Sequence, residues 1–152
     1  MSKELEAIFD ICDSMFQNAQ IDFECLIKSE MNEKFFEDYN NVRIVNSFLF
    51  NFSKLQDKIG AKLFKKFLYE LKEIDKENMP MLDILNLLEK LQIIDDSKKW
   101  DELREIRNSL SHDYPNNIAE RIENIELALK GYTILKEIYD NLKKRKQALL
   151  FS

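Results

Sequence analysis

Glycine and proline are scarce in this chain, with two of each among 152 residues. Sheets joined by many tight turns need both types repeatedly, because such turns require left-handed backbone or a fixed φ angle. A few long helices hardly need either. The scarcity therefore favours an all-α fold, and the length suits one domain, residues 1–152, with a substantial core.

Apolar residues recur at helical spacing in five segments, and no segment alternates regularly enough to be a strand. We expect helices over about residues 2–28, 32–73 and 80–92. A fourth helix should run from the cap candidates at 95–97 to a stop at Pro115, and a fifth should begin at the capping pair Asn117 and Glu120. Pro80 suits the first turn of the third helix. Gly60 indicates a kink in the second helix or the close approach of a neighbour. Together the stripes predict an antiparallel, up-and-down helical bundle of about five helices.

Two features of these helices allow two interpretations each. The second helix presents a phenylalanine-rich face, which is either core or in part a dimer interface: Phe48, Phe52, Phe64 and Phe67. The last helix carries a basic run, which is either a solvated terminus that complements the helix dipole or an RNA contact: Lys143, Lys144, Arg145 and Lys146.

Charge and composition exclude several classes of function. The 28 acidic and 23 basic side chains give a net charge of −5, which argues against coating nucleic acid through global charge but allows a local basic groove. There is no phosphate-cradling glycine loop, and Cys12 and Cys25 lack metal-ligand spacing, so we expect no cofactor, no metal and two reduced core cysteines. No signal peptide is visible, and no apolar run approaches the ~20 residues that span a membrane. We therefore expect a cytoplasmic protein with no membrane association.

Residues 103–115 concentrate the reactive side chains in the sequence LREIRNSLSHDYP. The segment holds the only histidine and two of the five arginines, at the end of an amphipathic helix. Two polar rows lie off its apolar stripe, with Arg104, Asn108 and His112 on one and Arg107, Ser111 and Tyr114 on the next.

These side chains suit phosphodiester chemistry without a metal. His112 titrates near neutrality and can move a proton to or from an RNA oxygen, while Arg107 matches phosphate oxygens with its fork. Arg104 and Ser111 are candidates for contacts with RNA phosphates. In the competing structural interpretation, His112 and Asn108 cap the helix and the arginines pair with the neighbouring Glu102 or Glu105.

The string Arg107-Asn108-x-x-x-His112-x-Tyr114 resembles the signature of the HEPN superfamily. More narrowly, it is similar to the HepT-type toxins encoded beside small nucleotidyltransferases. The motif of those proteins follows a helical hairpin and precedes a final long helix, which is the order expected for this chain.

The resemblance implies a HEPN-like four-helix core and a homodimer in which two motifs face each other across a cleft. It implies a metal-independent endoribonuclease toxin with Arg107 and His112 catalytic and Asn108 supporting. It also implies a partner nucleotidyltransferase antitoxin, of the MNT type, that silences the toxin by adenylylating Tyr114. The alternatives are a non-catalytic substrate-binding partner of a nucleotidyltransferase, without ribonuclease activity, and a purely structural bundle.

Overall fold

The computed structural model describes residues 1–111 and 117–150, with side chains up to residue 149. In this part of the chain all regular structure is helical, which confirms the all-α prediction. The elements are α1 (Lys3–Ile27), a 3₁₀ turn (Phe35–Glu37), α2 (Tyr39–Lys58), a π-helical turn (Ile59–Leu63), α3 (Phe64–Glu70), α4 (Met81–Lys90), α5 (Ser97–Ser109) and α6 (Ile118–Leu150). None of the helices within the described ranges is both long and apolar enough to cross a membrane.

Helix α1 runs antiparallel to α2 and α3. The backbone N–H and the hydroxyl of Ser2 donate to the carboxylate of Glu70, at the end of α3, over 2.7 and 2.6 Å. Near the other end of α1, the ring of Phe23 lies 6.3 Å from that of Phe48 in α2. The same serine caps α1 by accepting from the N–H of Leu5.

Helix α6 runs antiparallel to both α1 and α5. The ring of Tyr139 in α6 stacks on Phe16 of α1 at 4.6 Å, and Asn141 donates to the carbonyl of Ile93 just before α5. Farther back along α6, Gly131 lies against Leu103 of α5. Four helical units thus form an up-and-down core: α1, α2–α3, α5 and α6. The short helix α4 connects α3 to α5.

Four phenylalanines of the second helical segment belong to this core. Each is at most 1% exposed: Phe48, Phe52, Phe64 and Phe67. Burying side chains of this size contributes about 1.5–3 kcal/mol each. For these four residues the core interpretation is confirmed and the interface interpretation is wrong.

The second helix is not the continuous element predicted over 32–73. The side chain of Asn32 accepts from the N–H of Phe35 in a separate 3₁₀ turn, and Asp38 caps the true start of α2 by accepting from the N–H of Asn40. The predicted kink at Gly60 is a π-helical turn, and α3 ends at Glu70. Local side-chain capping therefore shortens the helix that periodicity alone extends.

The remaining helix starts follow the predicted capping more closely. Asp96 caps α5 and Asn117 accepts from the N–H of Glu120, as expected. Pro80 lies just before α4, not in its first turn. The buried face of α4 is formed by Ile84, Leu85 and Leu88, whereas Leu82 is 67% exposed. Pro115, the expected stop, lies outside the described residues.

The two cysteines differ in environment. Cys12 is buried, and burial raises the pKa of its thiol to about 12. Cys25 is exposed, so its prediction as a core residue is wrong.

Two of the basic residues near the end of α6 have structural contacts. Lys143 bonds Asp13 at 2.9 Å, and the ammonium of Lys146 lies 4.7 Å from the ring centroid of Phe9. These contacts fix part of the predicted basic run against α1.

Candidate functional site

A close helix crossing holds α5 against the π-helical turn. Any Cβ at Gly60 would lie 2.7 Å from Cζ2 of Trp100, so only a hydrogen fits there. The buried indole is also held by Phe64, whose ring centroid is 4.8 Å away. The predicted close approach at Gly60 is thus confirmed, and it coincides with a π-helical turn, a feature found frequently at functional sites.

This crossing brings the polar side of α5 over α2. Nε and Nη2 of Arg107 donate to the two carboxylate oxygens of Asp57, each over 3.0 Å. The hydrogen-bonded carboxylate raises the pKa of Arg107 above its ordinary value, so the guanidinium is always charged. The arrangement is a side-on, bidentate ion pair, the geometry that best restrains a guanidinium.

The pair lies at the surface, with the arginine side chain 35% exposed and the aspartate side chain 50% exposed. Solvent screening therefore limits its contribution to stability. The ion pair does, however, fix the orientation of the Arg107 guanidinium. Arg107 carries five N–H groups, and the contact with Asp57 uses two; the other three, both on Nη1 and one on Nη2, donate to no acceptor among the residues that the structure describes.

An open cleft of about 490 Å³ borders this ion pair, between α2, the π-helical turn, α4 and α5. Its polar lining consists of Gln56, Asp57, Lys65, Arg104, Arg107 and Asn108. Three of these are cationic and one is anionic, so the cleft is locally basic although the chain carries −5. The local basic groove that the composition allowed is therefore present beside the motif.

Gln56 is the least exposed polar group of the cleft. Its side chain is 3% exposed, and Oε1 has no hydrogen-bond partner. A buried amide left unpaired costs about 1–3 kcal/mol.

The structure brings three of the predicted site residues together at the cleft. Arg107, Asn108 and Arg104 all line it. Ser111 is exposed and donates its hydroxyl to the carbonyl of Asn108 over 2.7 Å, outside the cleft lining. His112 and Tyr114 lie outside the described residues.

The structural interpretation of the motif is wrong about the arginines. Arg107 pairs with Asp57, which is 50 residues away in sequence, and Arg104 reaches Asp101 at 3.9 Å. Glu102 instead pairs with Lys130 of α6. The arginines do not pair with their glutamate neighbours.

Two cleft residues were missed by sequence reasoning. Gln56 stands four residues after Phe52 and three before Ile59, so its place on the buried face could have been recognised from spacing. Asp57 carries no such signal, because only the crossing of α5 over α2 makes it the partner of Arg107.

Within residues 1–111 and 117–149, no three His, Cys, Asp or Glu side chains are grouped as metal ligands. Comparison with known proteins gives no match among family models, curated proteins or solved structures.

Proposed function

We propose that this protein is a cytoplasmic, metal-independent endoribonuclease toxin that acts as a homodimer. A partner nucleotidyltransferase antitoxin would silence it by adenylylating Tyr114. The observation that carries the proposal is the cleft in which Asp57 holds Arg107 with its Nη1 edge available, beside Arg104 and Asn108.

The reaction is a transesterification within RNA. The 2′-hydroxyl loses its proton to a base as its oxygen bonds phosphorus, and the bond from phosphorus to the 5′-oxygen breaks as that oxygen gains a proton. Arg107 binds the phosphate and stabilises the charge that develops on its non-bridging oxygens. His112, five residues on, moves the protons. The products are a 2′,3′-cyclic phosphate and a free 5′-hydroxyl.

Dimerisation and modification follow from the same groups. One helix end offers few groups with which to bind and cut an RNA backbone, whereas a twofold pairing brings together two copies of Arg107 and His112. An adenylate on Tyr114 would add a bulky anion two residues past His112. That anion would compete with RNA phosphate for Arg107.

Replacing Arg107 by lysine tests the proposal. We expect Arg107→Lys to lower RNA cleavage about a hundredfold to a thousandfold, because lysine keeps the charge but loses the fork that Asp57 orients. The matched control is Arg121→Lys, since Arg121 is also partly buried but stacks on Phe36. The assay measures cleavage of a labelled RNA in the presence of EDTA. An oligomer of the same sequence that carries 2′-deoxyribose is tested in parallel.

Equal cleavage by wild type and Arg107→Lys, or cutting of the 2′-deoxy oligomer, would overturn the mechanism. Co-expression with a nucleotidyltransferase, followed by peptide mass spectrometry, tests modification of Tyr114. If Tyr114 is modified on co-expression but the protein expressed without the transferase also cuts no RNA, the non-catalytic partner is favoured.

A further inference from the structure

A second groove adjoins the cleft and shares part of its wall. It has a volume of about 600 Å³ and lies between α1 and the stretch from Lys58 to α3. Ala61 and Lys65 line both depressions, so the two form one continuous surface. We call this second depression the lysine groove, after the four lysines in its wall: Lys58, Lys62, Lys65 and Lys66.

The charges of the lysine groove are unequally paired. Its two carboxylates, Glu4 and Glu77, both contact the ammonium of Lys66, at 3.1 and 3.3 Å. The other three lysines form no ion pair with any residue that the structure describes. One lysine is thus neutralised within the fold, while three remain available to an anionic ligand.

The available lysines are spaced for a polyanion. Lys58, Lys62 and Lys65 follow one another by four and three residues, and all three line the same groove. Several cations on one surface match a strand that carries one phosphate per nucleotide. The row leads into the cleft at Lys65, on the side where Arg104 and Arg107 lie.

We propose that the lysine groove binds the backbone of single-stranded RNA and extends the cleft beyond the nucleotide that is cut. Lys58 and Lys62 bind phosphates outside the cleft, and Lys65 binds the phosphate at its entrance. The inference rests on the proposed function, in that the ligand of the cleft is taken to be RNA.

Salt dependence of RNA binding measures these interactions. For single strands, log K falls with log salt, with a slope of about −0.7 for each phosphate that the protein binds. The double variant Lys58→Gln/Lys62→Gln should bind two phosphates fewer, so we expect its slope to be shallower by about 1.4. Between 50 and 200 mM KCl, the affinity of the wild type should fall about sevenfold more than that of the variant.

The measurement is fluorescence anisotropy with a labelled decamer RNA, in a His112→Ala background that prevents cutting. The control, Lys34→Gln/Lys90→Gln, removes the same charge from exposed positions elsewhere. Lys58→Arg/Lys62→Arg should keep the wild-type slope, since arginine also binds phosphate.

An unchanged slope in the groove variant, or an equal change in the control, would overturn the inference. The inference would also be overturned if the groove variant bound the partner transferase less tightly and kept the wild-type salt slope for RNA. The groove would then bind an acidic protein surface. If the protein with His112 intact cuts RNA but the groove variant keeps the wild-type salt slope, only this inference is overturned. If the groove variant lowers the salt slope but the protein with His112 intact cuts no RNA, this inference is supported and only the nuclease proposal is overturned.

Discussion

The contact between Gly60 and Trp100 predicts an unusual response to a glycine-to-alanine substitution inside a helix. Alanine normally stabilises a helix by about 1 kcal/mol over glycine. At Gly60, however, the new Cβ would lie 2.7 Å from Cζ2 of Trp100, and the ring must retreat by about 0.7 Å to reach an ordinary contact of 3.4 Å. The buried indole has little room to do so, because Phe64 packs against it.

Overpacking of this kind costs about 1–3 kcal/mol, and a rigid buried ring places the cost in the upper part of that range. After subtraction of the helical gain, we expect Gly60→Ala to lower the free energy of unfolding by about 1–2 kcal/mol. Urea denaturation measures this change. Gly131→Ala is the matched control, because its Cβ would meet Phe52 at 3.0 Å and two flexible aliphatic side chains at 3.3 Å. That substitution should cost less than Gly60→Ala, because the ring of Phe52 needs to retreat by only about 0.4 Å to reach 3.4 Å.

A double-mutant cycle separates the clash from other effects. Trp100→Phe removes Cζ2, so in that background Gly60→Ala should stabilise by about 1 kcal/mol, as helix propensity dictates. An identical effect of Gly60→Ala in both backgrounds would refute the reasoning. So would stabilisation of the otherwise wild-type protein by Gly60→Ala.

Two further substitutions test the electrostatics of the interior. Gln56→Met removes the unpaired amide at similar length and should raise the free energy of unfolding by about 1–3 kcal/mol; an unchanged or lower value would mean that the amide is satisfied. Burial pushes the pKa of Asp13 up, but hydrogen bonds from Tyr139 and Lys143 outweigh it and hold the pKa below the ordinary 3.8. The stabilisation from Asp13 is therefore present above pH 3.8 and lost as pH falls through the lower folded value. The stability difference between wild type and Asp13→Asn should thus be constant near neutrality and shrink below about pH 4. A difference that stays constant from pH 7 down to pH 2 would contradict this.

The helices were predictable where a periodic stripe and a cap agreed. Asp96 begins α5 and Asn117 precedes α6 because their side chains accept the first free N–H groups, which is a local property of the sequence. The start of α2 was mispredicted because two competing caps, Asn32 and Asp38, stand six residues apart, and only packing selects Asp38. Local sequence rules therefore predict most helix boundaries, but they do not decide between two nearby candidate caps.

The candidate site was predictable only on the side that lies within one helix. The motif placed Arg104, Arg107 and Asn108 on the polar side of α5, and they do line one cleft. Its opposite wall comes from α2 and the π-helical turn, through contacts between residues about 50 positions apart. No pattern in a single sequence links Asp57 to Arg107, because their pairing depends on how closely Trp100 approaches Gly60.

The wall of the cleft contains locally unfavourable features, and these support a functional role independently of the motif. Residues 56–63 combine a helical glycine, a π-helical turn and the only buried side-chain atom without a partner that was found among the described residues. The π-helical turn and the unpaired amide are locally unfavourable and have common, more stable replacements, namely a regular helical turn and an apolar side chain, whereas the glycine is required by its contact with Trp100. Locally unfavourable features persist at functional sites, where the same geometry serves binding or catalysis. These features lie in the wall of the cleft that Arg107 also lines, which supports our proposal that this cleft is the functional site.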